Sequence, residues 1–521
     1  MFRQTVVALP SRGRLDINEA IWNKREARAE RGIPTRGFST ETTSQPGLRR
    51  ELGLVQATSL AVTDMVGIGP YITIPLLLAT MGGPQAMLGW FVGALVAFSD
   101  GLVWAELGAA MPKAGGSYNY LREAYGPQSA GRWLSFLMIW QIMFSAPLSV
   151  ASGSIGFASY LNYLVPGLPA WGARAIAGAF PLLLVVMLYR RIGTIGNISV
   201  VLVTGVLAGC LWIVFSGLPH LNGARLLNFP PDAFRLNWIF WAGLGHATLY
   251  ALYDYFGYYN VCYLAEEIRD PGRVIPRAIM FSILLVGMLY VFMTSSFVSV
   301  VPWKALLESK FIASTYVEML EGAVAAKGMT ALVLWIAFSS AFSLLLGYSR
   351  IPYIAATDGN FFRVFARLHP QGGFPHISLV TLGLVAAVFS LGRLNEVIPG
   401  LIATRVLIQY LPQTIGFFLL RRRAPDLPRP FRMWFYPLPG VISILGWLYV
   451  LGTAAEEAWE RLSGLPKDSS WLDVASTALR QPLIFAFGVL FAGSAVYLIR
   501  AQRRREWPFW RGETPPDALR G

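Results

Sequence analysis

Two apolar stretches of this 521-residue sequence are interrupted by glycine where a helix would otherwise continue. The first reads Val62-Thr-Asp-Met-Val-Gly-Ile-Gly-Pro-Tyr-Ile-Thr-Ile-Pro75, and the second Tyr250-Ala-Leu-Tyr-Asp-Tyr-Phe-Gly-Tyr-Tyr-Asn260. A broken helix frees backbone N–H and C=O groups that lipid cannot satisfy, so such a break persists in a membrane only where it lines a cavity. The half-helix after Gly69 would offer unpaired N–H groups and a positive dipole end to a carboxylate. Gly67 and Gly69 lack a Cβ and let a ligand approach the backbone closely. Carbonyls freed between Tyr253 and Gly257, or the Asp254 carboxylate, would receive an ammonium group. Val66, Gly67, Ile68, Gly69, Tyr71 and Thr73 at the first break, with Tyr253, Asp254, Tyr255, Phe256 and Gly257 at the second, are the candidate binding residues. Matched breaks in two halves of one chain point to the binding site of a secondary transporter.

Composition supports a membrane setting for these breaks. Hydrophobic residues make up 55% of the chain and charged ones 14%, against about 25% charged in soluble domains. The mean hydropathy of +0.50 fits a polytopic membrane protein. The two cysteines and four histidines form no disulfide framework and no metal-ligand spacing.

Residues 1–50 are polar and carry ten Lys/Arg and five acids. They read as a largely disordered, basic cytoplasmic arm, and not as a signal or transit peptide. Twelve apolar spans follow within residues 51–500, each of a length suited to a bilayer core. They are expected at 55–80, 85–110, 133–163, 171–189, 194–216, 238–265, 275–300, 329–356, 376–392, 396–420, 436–455 and 482–499, before a cytoplasmic tail over 501–521. With a cytoplasmic N-terminus, inward loops collect twenty basic residues, among them Arg190, Arg191 and Arg421 to Arg423, against ten outward. That asymmetry follows the positive-inside rule. It assigns most of the net charge of +14 to topology, with no nucleic-acid partner. The outward segments 303–328 and 456–481 read as surface helices or loops.

Four stretches together resemble the amino acid–polyamine–organocation permease superfamily. Glu106-Leu-Gly-Ala-Ala-Met-Pro-Lys-Ala-Gly-Gly-Ser-Tyr-Asn-Tyr120 is similar to its second span and re-entrant loop. Glu266-Glu-Ile-Arg-Asp-Pro-Gly-Arg-Val-Ile-Pro-Arg-Ala278 is similar to the linker between spans 6 and 7. Ser349-Arg-Ile-Pro-Tyr-Ile-Ala-Ala-Thr-Asp-Gly359 resembles the end of span 8, and Arg421-Arg-Arg-Ala-Pro-Asp-Leu-Pro-Arg-Pro-Phe431 the linker between spans 10 and 11. The resemblance implies an all-α integral membrane protein with a LeuT-like fold. Spans 1–5 and 6–10 would be inverted repeats with broken helices 1 and 6, and spans 11 and 12 would be peripheral. Spans 1, 2, 6 and 7 would rock against a scaffold that includes 3, 4, 8 and 9.

One departure concerns the carboxylate grip. Pro70 follows Gly69, where the family usually has Gly-Ser-Gly-Ile, and proline removes a donor. Gly69-Pro70-Tyr71 and Tyr253-Asp254 resemble the polyamine-uptake and L-type branch, but Thr73 and Ile74 stand where a polyamine site would carry an acid. An amino acid is therefore the first expected substrate and a polyamine such as putrescine or spermidine the alternative. Ionisable groups in spans default to functional roles. Asp64 and Glu106 are candidate gating or coupling groups, and Arg405 is expected to pair with one of the acids. Trp140 in span 3 is a candidate pocket wall. Ser339 and Ser340 occupy a region where some relatives bind sodium. No cofactor is implied. Residues 192–224 lack any Lys, Arg, Asp or Glu, so the lysine that some proton-coupled relatives place in span 5 is missing, and H⁺ and Na⁺ both stay open as coupling ions. Homo-oligomerisation is also left open. The expected location is the plasma (inner) membrane.

A nutrient-sensing receptor that keeps the same site is the competing class. No nucleophile elbow, paired metal ligands or phosphate loop supports an enzyme. The arm has no apolar face large enough to join the bundle and precedes every family motif. Deleting residues 2–45 should leave substrate affinity in proteoliposomes unchanged; a large loss would mean that the arm takes part in the binding cycle.

Overall fold

The computed structural model describes residues 50 and 52–509, apart from 190–194, 393, 465–476 and 478–480. The arm, Arg190, Arg191, much of the second outward segment and the tail beyond Phe509 lie outside the described residues. The regular structure of the described residues is helical: α1 (Leu54–Met65), α2 (Gly69–Met81), α3 (Leu88–Ala110), α4 (Ser117–Tyr125), α5 (Ala130–Leu164), α6 (Ala170–Leu188), α7 (Ile195–Gly217), α8 (Gly223–Leu226), α9 (Trp238–Tyr255), α10 (Asn260–Tyr263) and α11 (Pro271–Val300). These are followed by α12 (Trp303–Glu308), α13 (Ile312–Glu321), α14 (Ala323–Thr357), α15 (His376–Phe389), α16 (Leu394–Arg405), α17 (Leu411–Arg423), α18 (Leu438–Ser463) and α19 (Pro482–Arg504).

Eight of the described helices are long and apolar enough to cross a bilayer, or nine when the bent pair α1–α2 is taken as one span. The twelve expected spans all fall on helices, but three do not meet that measure. α15 is short, and a break divides α9 from α10. The α16–α17 run is divided by a π-helical turn at Val406–Tyr410. The first outward segment holds α12 and α13, and α14 starts six residues earlier than expected, at Ala323.

Two packing groups stand out. α9 and α11 pack on α3, with α1 on α11 and α2 on α9, while α5, α6, α14 and α15 pack with one another; α1 also packs on α14 and α7. α18 reaches into the first group through a buried acid. Asp100 on α3 accepts hydrogen bonds from Tyr258 (2.6 Å), Ser443 (3.0 Å) and Trp447 Nε1 (3.3 Å). Trp447 is fully buried and stacks on Tyr410 at 4.5 Å.

The four motif stretches meet as ion pairs at the C-terminal ends of their helices. Glu106, at the end of α3, accepts from Arg421 Nε (2.9 Å) and the Met433 amide (2.7 Å), and pairs with Arg429 at 3.3 Å. Arg350 lies 3.5 Å from Glu267, and Arg122 lies 2.9 Å from Asp358. Leu52, just before α1, bridges the segment after α10: its N–H donates to Glu267 O and its carbonyl accepts from Arg269 N–H, both at 2.9 Å.

Both predicted breaks are present. α1 and α2 are bent by 48° about Val66–Ile68, and Pro70 in the first turn of α2 occupies a position where a helix needs no N–H donor. α9 ends at Tyr255 and α10 resumes at Asn260. Gly257 between them has φ +129°, and a Cβ there would lie 2.7 Å from the Asp64 carbonyl carbon. Only glycine lets the two breaks touch in this way. The Tyr290 hydroxyl on α11 is 2.9 Å from Met65 O and 3.0 Å from Asp254 O, so one donor serves freed carbonyls at both breaks. Tyr290→Phe should therefore cost about 1–3 kcal/mol, the penalty for a buried group left without its partner. Thermal unfolding of detergent-purified protein reads this loss; an unchanged melting temperature would show that the carbonyls do not depend on Tyr290.

Candidate functional site

A cavity opens where the two breaks meet. Its walls come from both packing groups. The α1–α2 break gives Asp64, Gly67, Ile68 and Gly69, and the α9–α10 break gives Tyr253, Asp254, Phe256, Gly257 and Tyr259. α5 adds Ser149, Ser152 and Gly153, α14 adds Ser340 and Tyr348, and α16 adds Leu401 and Arg405.

At the first break, Gly67 N–H bonds Met65 O at 3.0 Å and Tyr71 N–H bonds Ile68 O at 3.1 Å, while Ile68 N–H donates to no acceptor among the described residues. Gly69 faces the second break directly. A Cβ on Gly69 would overlap the Asp254 carboxylate and stand 3.3 Å from the Tyr253 ring, and one on Gly67 would stand 2.7 Å from Ser340 Oγ. Thr73 donates to Asp254 Oδ2. Asp254 Oδ1 has no hydrogen-bond partner among the described residues, although the residue is buried. A free amide hydrogen and a half-satisfied carboxylate therefore share one small cavity. The first suits a carboxylate and the second an ammonium group.

The remaining candidates divide by position. Asp64 accepts from Asn260 Nδ2 at 2.8 Å, and Ser340 sits against Gly67. Val66, Tyr71 and Thr73 lie behind the cavity wall; Tyr71 O accepts from Tyr160 at 3.0 Å. Tyr255 points away, into Trp90 on α3, with its hydroxyl 3.4 Å from Trp90 O. Trp140 is a correction. It is turned toward α19, donates to Val489 O at 3.0 Å and packs over Gly493, so it does not wall the pocket. Ser339 is also turned aside, its hydroxyl bonded to Trp335 O on its own helix at 2.7 Å. Glu106 is occupied by the arginines at the helix ends and does not touch the cavity.

Arg405 is the larger correction. It is 3% exposed, and no carboxylate lies within 4.0 Å of it among the described residues. Its partners are the hydroxyls of Tyr259 (2.5 Å), Tyr348 (2.9 Å) and Ser149 (3.1 Å). The serine face of α5 was not anticipated either. Ser145, Ser149 and Ser152 recur at helical spacing on one face, and Ser152 shares a 2.7 Å hydrogen bond with Tyr253. That spacing, beside Pro147 in the interior of α5, was the available signal.

The amino acid permease family model matches residues 52–457, which include both breaks and the cavity. The chain is 25% identical over 420 residues to the serine/threonine exchanger SteT of Bacillus subtilis (strain 168), covering 79% of this chain and 92% of the relative. It is 28% identical to the human large neutral amino acids transporter small subunit 2, over 78% of this chain and 75% of that one. It is likewise 28% identical to the mouse Asc-type amino acid transporter 1, over 78% and 76%. With most of its length matched, including every helix that forms the cavity, this chain belongs to the amino acid permease family: it is a multi-pass membrane transporter and not an enzyme.

Proposed function

We propose that the chain is a secondary active transporter that carries amino acids across the plasma membrane by alternating access, with the cavity between the breaks as its substrate site. The observation that carries this reading is the pairing of the free Ile68 amide with the half-satisfied Asp254 carboxylate across Gly69. A zwitterion matches both, its carboxylate at the start of α2 and its ammonium at Asp254 and the carbonyls of the second break. The names of the relatives, all amino acid transporters, favour this substrate class over a polyamine.

Twelve crossings in a five-plus-five inverted arrangement fit the packing. One group holds both broken helices and the other supplies α5 and α14, so that the cavity lies on the seam between them. Rocking of the first group against the second would open the seam to each side of the membrane in turn. Asp64 and Ser340, at the cavity edge of that seam, are where a coupling cation or proton would act. Both termini would face the cytoplasm, as the basic loops require.

Counterflow in proteoliposomes against a panel of amino acids and polyamines tests the reading, because a receptor would bind without flux. Gly69→Ala, although it adds one methyl group, should abolish uptake while the protein still reaches the membrane, since the methyl would displace the Asp254 carboxylate. Uptake by that variant at the wild-type rate would remove the break from the site. Asp254→Asn should weaken transport by no more than about 1.5–3 kcal/mol, the worth of one hydrogen bond to a charged group. Complete loss of uptake in Asp254→Asn, with putrescine or spermidine competing in the wild type, would instead mark a polyamine site.

A further inference from the structure

Resting on the amino acid reading above, we infer that Arg405 receives a second, side-chain carboxylate, so that the site takes dicarboxylic amino acids in preference to neutral ones. Arg405 is the last residue of α16, immediately before the π-helical turn, and it lines the cavity while almost wholly buried. A buried guanidinium is costly unless a counter-charge and a full set of acceptors meet it. Its protein partners supply neither. Three hydroxyls engage three of its N–H groups, and a guanidinium has five. The two cavity acids, Asp64 and Asp254, accept from Asn260 and Thr73, and neither forms an ion pair with Arg405 within 4.0 Å.

The group is nonetheless held firmly in place. Its Cζ lies 5.4 Å from the centres of both the Phe256 and Tyr348 rings. This is an arginine fixed by aromatic faces and hydroxyls with part of its donor fork unclaimed, which suits a planar carboxylate. The α-carboxylate has donors of its own at the α1–α2 break, so the anion left for Arg405 is one carried on the substrate side chain. A dicarboxylic amino acid would then place its ammonium at Asp254, one carboxylate at Ile68 and Gly69, and the other at Arg405. A neutral substrate leaves the arginine uncompensated, and a cationic one brings a like charge to it.

Proteoliposome counterflow with glutamate and aspartate against their isosteres glutamine and asparagine separates the outcomes. The wild type should show KM values at least about tenfold lower for the acids, as expected when a site's buried polar group is left unpaired by the analogue. Arg405→Gln should erase that preference, raising KM for the acids by tenfold or more relative to the isosteres. Arg405→Lys keeps the charge without the fork, so it should retain a reduced preference. The inference fails if the wild type prefers the neutral isosteres. It also fails if Arg405→Gln and Arg405→Lys lower uptake of acids and isosteres equally, which would assign the arginine to the α-carboxylate or to the frame of the bundle. Transport of neutral amino acids alone would thus overturn this inference and leave the amino acid reading intact. Flux of no amino acid in the wild type would overturn both.

Discussion

Backbone polar groups released inside an apolar bundle must find partners within the protein, and the rest of this structure is arranged around that requirement. Each unsatisfied group in a membrane interior costs several kcal/mol. Here two breaks are stacked against each other, so that they share their remedies. Tyr290 offers one hydroxyl to a carbonyl from each side, Gly257 lets the two backbones touch, and Thr73 on the first break holds Asp254 on the second. Among the described residues, several polar groups around the breaks stay unpaired, Asp64 Oδ1 and Asn260 Oδ1 included, and two of them lie on either side of Gly69: the Ile68 amide and one oxygen of Asp254. Those two groups are the natural place for a ligand, because a ligand with a carboxylate and an ammonium completes what the fold does not.

The ends of the helices are held by different means. Glu106 with Arg421 and Arg429, Glu267 with Arg350, and Arg122 with Asp358 join chain segments far apart in sequence at one end of the bundle. All of these residues lie in or beside the four stretches on which the family resemblance rests. The resemblance is therefore carried by the ties at the helix ends more than by the cavity itself. Glu106 illustrates the point: it stands out in the sequence as an acid in an apolar helix, and it works as an anchor for two arginines and a backbone amide.

The breaks were legible because Gly67, Gly69 and Pro70 follow Asp64, and Gly257 follows Asp254, within apolar runs, whereas a glycine without a nearby acid or proline, such as Gly93 or Gly287, serves close helix packing. Asp254 and Gly69 were placed correctly at the junction of the two breaks. The side walls were harder to read. A single tyrosine or tryptophan in an apolar helix carries no mark of which face it occupies when lipid and protein neighbours are equally apolar, and serines mark a face only through their spacing. Trp140 accordingly turned out to face α19, and Ser149 and Ser152 turned out to face the cavity. Tyr290 gave no sequence signal at all, since its role depends on a carbonyl from each of two distant segments. Arg405 was noticed as a charge in a span, but the assumption that a buried cation must meet an acid of the same chain misplaced its partner.

The central claim is that the substrate completes the hydrogen bonding of the two facing breaks. A cryo-electron microscopy structure of the protein with a transported amino acid bound tests it most directly. The account predicts ligand density in the cavity beside Gly69, its carboxylate on the Ile68 amide and its ammonium on Asp254. Density elsewhere in the protein, with this cavity empty under saturating substrate, would contradict it.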